Sequence, residues 1–162
     1  MPGLTMAGLH AGLGITMAGI HSSAHYDLVP AAQVWASLSP DGERPVGLGG
    51  TVELQAATWR HRTRYTTYGN TFVRGSVLVD LAAGTRGTVV RLGAGPALAV
   101  RSASLVAGDL DVGGSFVEPG ARLRTAIDAP LGPHLVFQWH LGATTRTSGL
   151  DYDTGLGLGW RP

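Results

Sequence analysis

The feature that most constrains this chain is a side-chain alternation with period two that returns in segment after segment. Successive side chains of a β-strand point to opposite faces, so each such segment reads as a strand with one apolar side. The clearest sets Leu135, Phe137, Trp139, Leu141 and Ala143 against His134, Gln138, His140, Gly142 and Thr144. Another sets Val46, Leu48, Val52, Leu54 and Ala56 against Gly47, Gly49, Thr51, Glu53 and Gln55. Further segments follow Leu9 to Met17, Ala32 to Leu38, Val73 to Leu81, Val90 to Arg101, Val117 to Ile127 and Asp153 to Arg161. Eight strands result. Long helices are disfavoured, because Gly (25 of 162 residues) and β-branched residues interrupt nearly every stretch.

Composition closes several other routes. With 44% apolar residues and a net charge of +1 the chain is not of the disordered class. No continuous apolar run reaches the ~18–20 residues of a spanning helix. There is no Cys for a disulfide or thiolate site, and a charge this balanced is no nucleic-acid footprint. Leu4 to Ile20 followed by Ser22-Ser23-Ala24 has the outline of a signal peptide but lacks a positive n-region. The expectation is a mature chain with an added Met1 that runs straight into its first strand, and a single domain over 1–162.

The connections give the chain an orientation. Ser39 to Pro45, Ala82 to Gly87 and Asp128 to Pro133 are compact turn-former clusters after strands two, four and six. The other connections, around His21 to Pro30, Arg60 to Thr71, Ser102 to Gly113 and Arg146 to Tyr152, are polar or aromatic and mostly longer. An even number of antiparallel strands of about 10 residues, with short turns at one end and longer loops at the other, is the layout of an outer-membrane barrel. Volume then decides which face is out. One face holds Leu, Val, Ile and Trp; the other is mostly Gly, Ala, Ser and Thr with a few charges, which suits a narrow interior and not a water-facing exterior. Pro96 and Pro119 fall inside strands five and six and cannot donate to a ladder, so a bulge or a hydrogen-bonding gap is expected at one or both.

In this layout the chain resembles the small eight-stranded outer-membrane β-barrel family, the group that includes the barrel domain of outer-membrane protein A. The likeness runs from Leu4 to Trp160 and includes Leu156-Gly157-Leu158-Gly159-Trp160, which is similar to the family's terminal aromatic signal; Arg161 and Pro162 depart from it. The resemblance implies an all-β, eight-stranded antiparallel up-and-down transmembrane β-barrel in a bacterial outer membrane, monomeric, with both termini periplasmic.

The charges on the smaller face form the first candidate site: Glu53, Arg74, Asp80, Arg91, Arg101, Glu118, Arg122 and Arg124, with Asp153 and Arg161 also expected inward. Buried unpaired they would be very costly, so Glu53 and Glu118 are each expected to contact an Arg of a nearby strand. The resulting expectation is a largely side-chain-filled lumen. A second candidate is the basic, aromatic-flanked cluster of Arg60, Arg62 and Arg64, with His61 between Trp59, Tyr65 and Tyr68, suited to lipopolysaccharide phosphates. Family members that hydrolyse lipids raise an enzymatic reading, for which the candidates are His140 with Ser115, or His21 with Ser22 and Ser23. Neither meets the geometry of acyl transfer, and no catalytic residue is expected. His21 and His25 lack partner carboxylates except Asp27, so neither metal nor cofactor is expected. The function read from the sequence is a non-enzymatic structural, anchoring or loop-presenting protein of the lipid bilayer. A narrow pore, and a soluble lipocalin-like ligand-binding barrel with the faces reversed, stay open as alternatives.

Overall fold

Segments with one apolar face cannot bury it alone, and here they pair in the order in which they occur. The computed structural model describes residues 8–21, 26–39, 46–85, 87–147 and 149–162. The strands are β1 (Leu9–His21), β2 (Tyr26–Leu38), β3 (Val46–Arg62), β4 (Thr66–Thr85), β5 (Thr88–Ala107), β6 (Leu110–Pro130), β7 (Leu135–Arg146) and β8 (Gly149–Trp160). Each pairs antiparallel with its chain neighbour and β1 pairs with β8, closing an eight-stranded barrel. The β2–β3, β4–β5 and β6–β7 connections share the end where β1 begins and β8 finishes, here called the terminal end. The other four hairpins form the distal end.

In the closed wall the alternation decides burial. Leu13 and Leu48 are 72% and 73% exposed on the outside, while Thr51, Gln55, Arg91 and Arg122 are each 1% exposed on the inside. Apolar side chains therefore face out and polar ones face in, the reverse of a lipocalin-like barrel.

Where longer loops are expected at the distal end, the structure instead continues the strands. Only residues 63–65 separate β3 from β4, and only 108–109 separate β5 from β6, with Gly108 at φ +60° in the tip. The first of these expected loops includes residues 22–25, outside the described residues. The reason the rest read as loops is physical: β3–β6 outgrow their neighbours, and a sheet that stands free has no buried side to impose alternation. Pairing of β6 with β7 runs only from Arg122↔Thr144 to Pro130↔Val136, and that of β2 with β3 stops at Ala32↔Ala56. Above these points β3–β6 form a four-stranded distal sheet. At the terminal end the turns are tighter than expected: Ala82–Thr85 belongs to β4, and Asp128 belongs to β6. Residues 40–45 of the first expected turn lie outside the described residues.

The two prolines are accommodated without a bulge. The β4–β5 ladder is interrupted between Ser76↔Ala97 and Val79↔Ala94, opposite Gly95 and Pro96, and resumes in the same register. Gly95 makes the close approach there feasible, since a Cβ on it would collide with the Val77 carbonyl oxygen. Pro119 escapes differently. Ala121, two residues on, turns its N–H and C=O toward Thr145, so by alternation the Pro119 nitrogen points the same way, to the side where β6 has outrun β7. The closed wall has no edge, but the unequal strands leave one above it.

Candidate functional site

The polar inner face brings six Arg (74, 91, 101, 122, 124, 146) together with six acids (Glu53, Asp80, Glu118, Asp128, Asp151, Asp153), all with buried side chains. They assemble into three clusters stacked along the barrel. At mid-height Asp153 is a hub. It accepts both Arg122 Nη1 (2.6 Å) and Nη2 (2.9 Å), Arg74 Nη2 (2.8 Å) and Gln55 Nε2 (3.1 Å), and lies 3.2 Å from His140 Nε2. Beside it Glu53 pairs with the guanidinium groups of Arg122 and Arg124 (Arg124 Nε at 3.1 Å) and accepts Gln33 Nε2 (3.0 Å) and Ser76 Oγ (2.8 Å). Arg122 on β6 thus joins Glu53 on β3 to Asp153 on β8 across the interior. The bidentate geometry and the extra donors are what a buried carboxylate requires.

Toward the terminal end Asp128 binds Arg91, accepts Gln138 Nε2 (2.8 Å) and faces His10 Nε2 (3.3 Å). Asp80 accepts the Thr51 hydroxyl, which also bonds Ser37. Trp35 lies edge-on to His10, with ring centroids 6.0 Å apart. Toward the distal end Arg101 and Arg146 bridge Glu118 and Asp151, with Arg101 Nε to Glu118 at 2.8 Å and Arg146 Nη2 to Asp151 at 2.9 Å. There Ala18, Val29, Ala31, Ala57 and Phe72 pack together on the β1–β4 side, with Trp59 against them.

The outside of the barrel changes chemistry within one row. Ala56, Val73, Val100 and Val117 are register partners across β3–β6, all apolar. The next row toward the distal end is Thr58, Thr71, Ser102 and Ser115, all hydroxyls, with bonds of 3.1 Å between Thr58 and Thr71 and 2.7 Å between Ser102 and Ser115. Arg60 and Arg62 follow on the same outer face. Below the switch, every outward residue of β5 from Val90 to Val100 is apolar. Ten residue steps at ~3.4 Å and a tilt of ~40° span about 26 Å, the height of a bilayer's apolar band. The hydroxyls within this belt are turned inward to backbone: Thr154 donates to His140 O (2.9 Å) and Thr125 to Arg91 O (3.1 Å).

No family model matches the chain, and no curated protein is significantly similar to it. Solved structures do match. Ail, the attachment invasion locus protein of Yersinia pestis, superposes with a TM-score of 0.70 at 9% identity, over 96% of this chain and 99% of that one. Neisserial surface protein A gives 0.65 at 15% identity, over 95% and 97%. A major outer membrane protein of Thermus thermophilus gives 0.60 at 14% identity, over 94% and 99%. The fold is that of the eight-stranded outer-membrane barrels.

On this outer-membrane barrel fold the sequence-derived candidates fall as follows. Glu53, Arg74, Asp80, Arg91, Arg101, Glu118, Arg122, Arg124 and Asp153 all lie inside. Glu53 meets its Arg partners across the interior from β6, and Glu118 meets its own on β5 and β7. Arg161 does not point inward: it lies beyond β8, its N–H on His134 O (2.8 Å) and its guanidinium 3.5 Å from Pro133 O, because the strand has ended. Asp128, Asp151 and Arg146 were hidden among turn-forming neighbours. Their one legible signal is parity with Arg124, Asp153 and Thr144. Of the basic cluster, Arg60 and Arg62 share the outer face of β3, whereas Arg64 sits in the hairpin tip, 5.5 Å from the Tyr65 ring. His140 and Ser115 lie on opposite faces of the wall. Ser22, Ser23 and His25 lie outside the described residues, and nothing is described of the His21 side chain. Among the described residues no group of three or more His, Asp or Glu is placed to hold a metal.

Proposed function

We propose that the protein is a monomeric, integral barrel of a bacterial outer membrane, with termini on the periplasmic side. Its role is to anchor and present the distal sheet without catalysis. The observation that carries this reading is the apolar belt with its one-row upper boundary between Ala56/Val73/Val100/Val117 and Thr58/Thr71/Ser102/Ser115. Burying hydrocarbon in lipid is favourable at about 25 cal/mol per Å2, and no other solvent suits so many exposed Leu and Val. Tight turns at the terminal end and long hairpins at the distal end support the orientation. The interior supports a filled lumen: six cations meet six anions, and an eight-stranded barrel is only wide enough for side chains. Separation of His140 from Ser115 by the wall supports a non-catalytic role.

Solubility tests the membrane reading: the folded protein is expected to need detergent or lipid, and a stable monomer in plain buffer would overturn it. Planar-bilayer recording tests the filled lumen, with no conductance steps expected; regular steps would establish the pore instead.

Arg60 and Arg62 lie two and three rows above the last apolar row, on the side where lipid phosphates sit, and we assign them to lipopolysaccharide contact. Arg64 belongs to the same hairpin and adds charge at its tip. Arg60→Ala with Arg62→Ala is expected to weaken co-purification with lipopolysaccharide several-fold; unchanged binding removes the assignment.

A further inference from the structure

Above the point where β7 ends, one strand of the distal sheet has a neighbour on one side only. From Leu110 to Val117 every residue of β6 is exposed, and β5 alone pairs with it. Ala121 turns its N–H and C=O toward Thr145, so by alternation Asp111, Gly113, Ser115 and Val117 offer theirs to the open side. The inner face between them carries Val112, Gly114 and Phe116, in register with Leu105, Ala103 and Arg101 of β5. Ala103 and Gly114 are small and floor a hollow of about 400 Å3 walled by Tyr68, Leu105, Val112 and Phe116. The two edges of the sheet differ in how they are protected. β3, free of β2 from Ala57 upward, carries Arg60, His61 and Arg62, and charge is a common protection of an exposed edge. Along β6 the run Val112-Gly113-Gly114-Ser115-Phe116-Val117 has no charge, and Pro comes only below it, at 119.

We propose that the β6 edge binds an extended segment of a partner polypeptide, which adds to the distal sheet as a further strand antiparallel to β6. This gives the presented sheet its partner, and it rests on the membrane reading above for an edge that stands clear of lipid. The backbone selects the occupant: N–H and C=O groups offered together at every second residue, ~6.8 Å apart, are matched by another extended chain and by no lipid or sugar. The side chains then select its sequence. Residues opposite Asp111, Gly113 and Ser115 point outward, and those opposite Val112, Gly114 and Phe116 point inward. An aromatic residue opposite Gly114 fills the hollow, and aliphatic residues on either side of it cover Val112 and Phe116. Opposite Asp111, with Asp109 beside it at the tip, stands a Lys or Arg. Read from its N-terminus at the rim of the wall, the segment alternates polar and apolar residues, with an aromatic at its centre and a base at its distal end.

The test is a titration of the protein in lipid nanodiscs with the capped peptide Thr-Val-Thr-Trp-Thr-Val-Lys, followed by amide shifts and amide exchange. Saturable shifts are expected at Val112, Gly114 and Phe116, with exchange slowed at Gly113 and Ser115. N-methylation of the Thr opposite Ser115 removes a hydrogen bond to the edge and is expected to weaken binding about tenfold. N-methylation of the Trp, whose N–H points away from β6, is expected to leave the affinity nearly unchanged. Ser115→Pro removes an open donor and, like Pro119, takes nothing from the β5 ladder, so the variant keeps the fold and is expected to bind about tenfold more weakly. Equal weakening by the two N-methylations, or unchanged affinity in Ser115→Pro, would overturn the proposal by reducing the contact to apolar docking. So would slow exchange at Gly113 and Ser115 that grows with protein concentration in the absence of peptide, which would make a second copy the occupant. Broadening of Gly113 and Gly114 by a nitroxide on the lipid acyl chains would overturn the membrane placement and this proposal with it; absent shifts without such broadening would overturn this proposal alone.

Discussion

Arg122 is the residue on which the interior turns, since one guanidinium on β6 closes on two carboxylates, Glu53 of β3 and Asp153 of β8. Removing one member of a buried pair leaves its partners uncompensated, at a cost of about 3–5 kcal/mol. Arg122→Ala and Glu53→Ala are each expected to lose that much, read from the urea midpoint of the protein in detergent. Unchanged midpoints for both would show that water reaches the network. The inner glycines are the other half of this packing. A Cβ on Gly142 would sit 2.7 Å from both Arg122 Nη atoms, and one on Gly12 would sit 2.6 Å from the Trp35 ring and 2.5 Å from Leu158 O. Gly12→Ala is therefore expected to destabilise by about 1–3 kcal/mol, as overpacking does, in the same urea assay. The sequence shows that glycine favours the smaller face, but not which large side chain needs each gap, because those contacts, Gly142 with Arg122 and Gly12 with Trp35, are set by how the side chains cross between strands. Asp128 illustrates the same limit. With Pro130, Gly132 and Pro133 just ahead it reads as a turn, and only the Arg91 and His10 that face it make it a buried partner.

At the scale of the element, β6 belongs to two environments. From Arg122 to Asp128 it is paired on both sides; from Leu110 to Gly120 only β5 holds it. Amide exchange should record that division residue by residue. Asp111, Gly113, Ser115 and Val117 have the parity of Ala121 and point to the open side, so they are expected to exchange rapidly, while the even-numbered amides between them are slowed by β5. Uniform protection from 110 to 120 would mean that something pairs with the edge. Pro119→Ala is expected to change stability by less than about 0.5 kcal/mol, because the donor it restores has no acceptor in β7. Strand number and parity were legible in the wall, where an apolar outer side and a polar interior impose them. They were not legible in the distal sheet. Leu105, Val106, Leu110 and Val112 are all exposed there, so apolar residues fall on both faces and the period is lost.

For the whole molecule the governing fact is an inside-out distribution that ends at a defined height. The belt faces outward, the ion pairs face inward, and both give way at the distal rim to a sheet with hydroxyls and Arg outside and an apolar hollow within. On the proposed membrane placement, the boundary between lipid and water falls between adjacent register rows about 7 Å apart along each strand. The most direct test is paramagnetic broadening of methyl and amide signals in nanodiscs whose lipids carry a nitroxide on the acyl chain. Ala56, Val73, Val100 and Val117 are expected to broaden strongly, and Thr58, Thr71, Ser102 and Ser115 much less. Equal broadening of both rows, or none in either, would contradict the membrane placement.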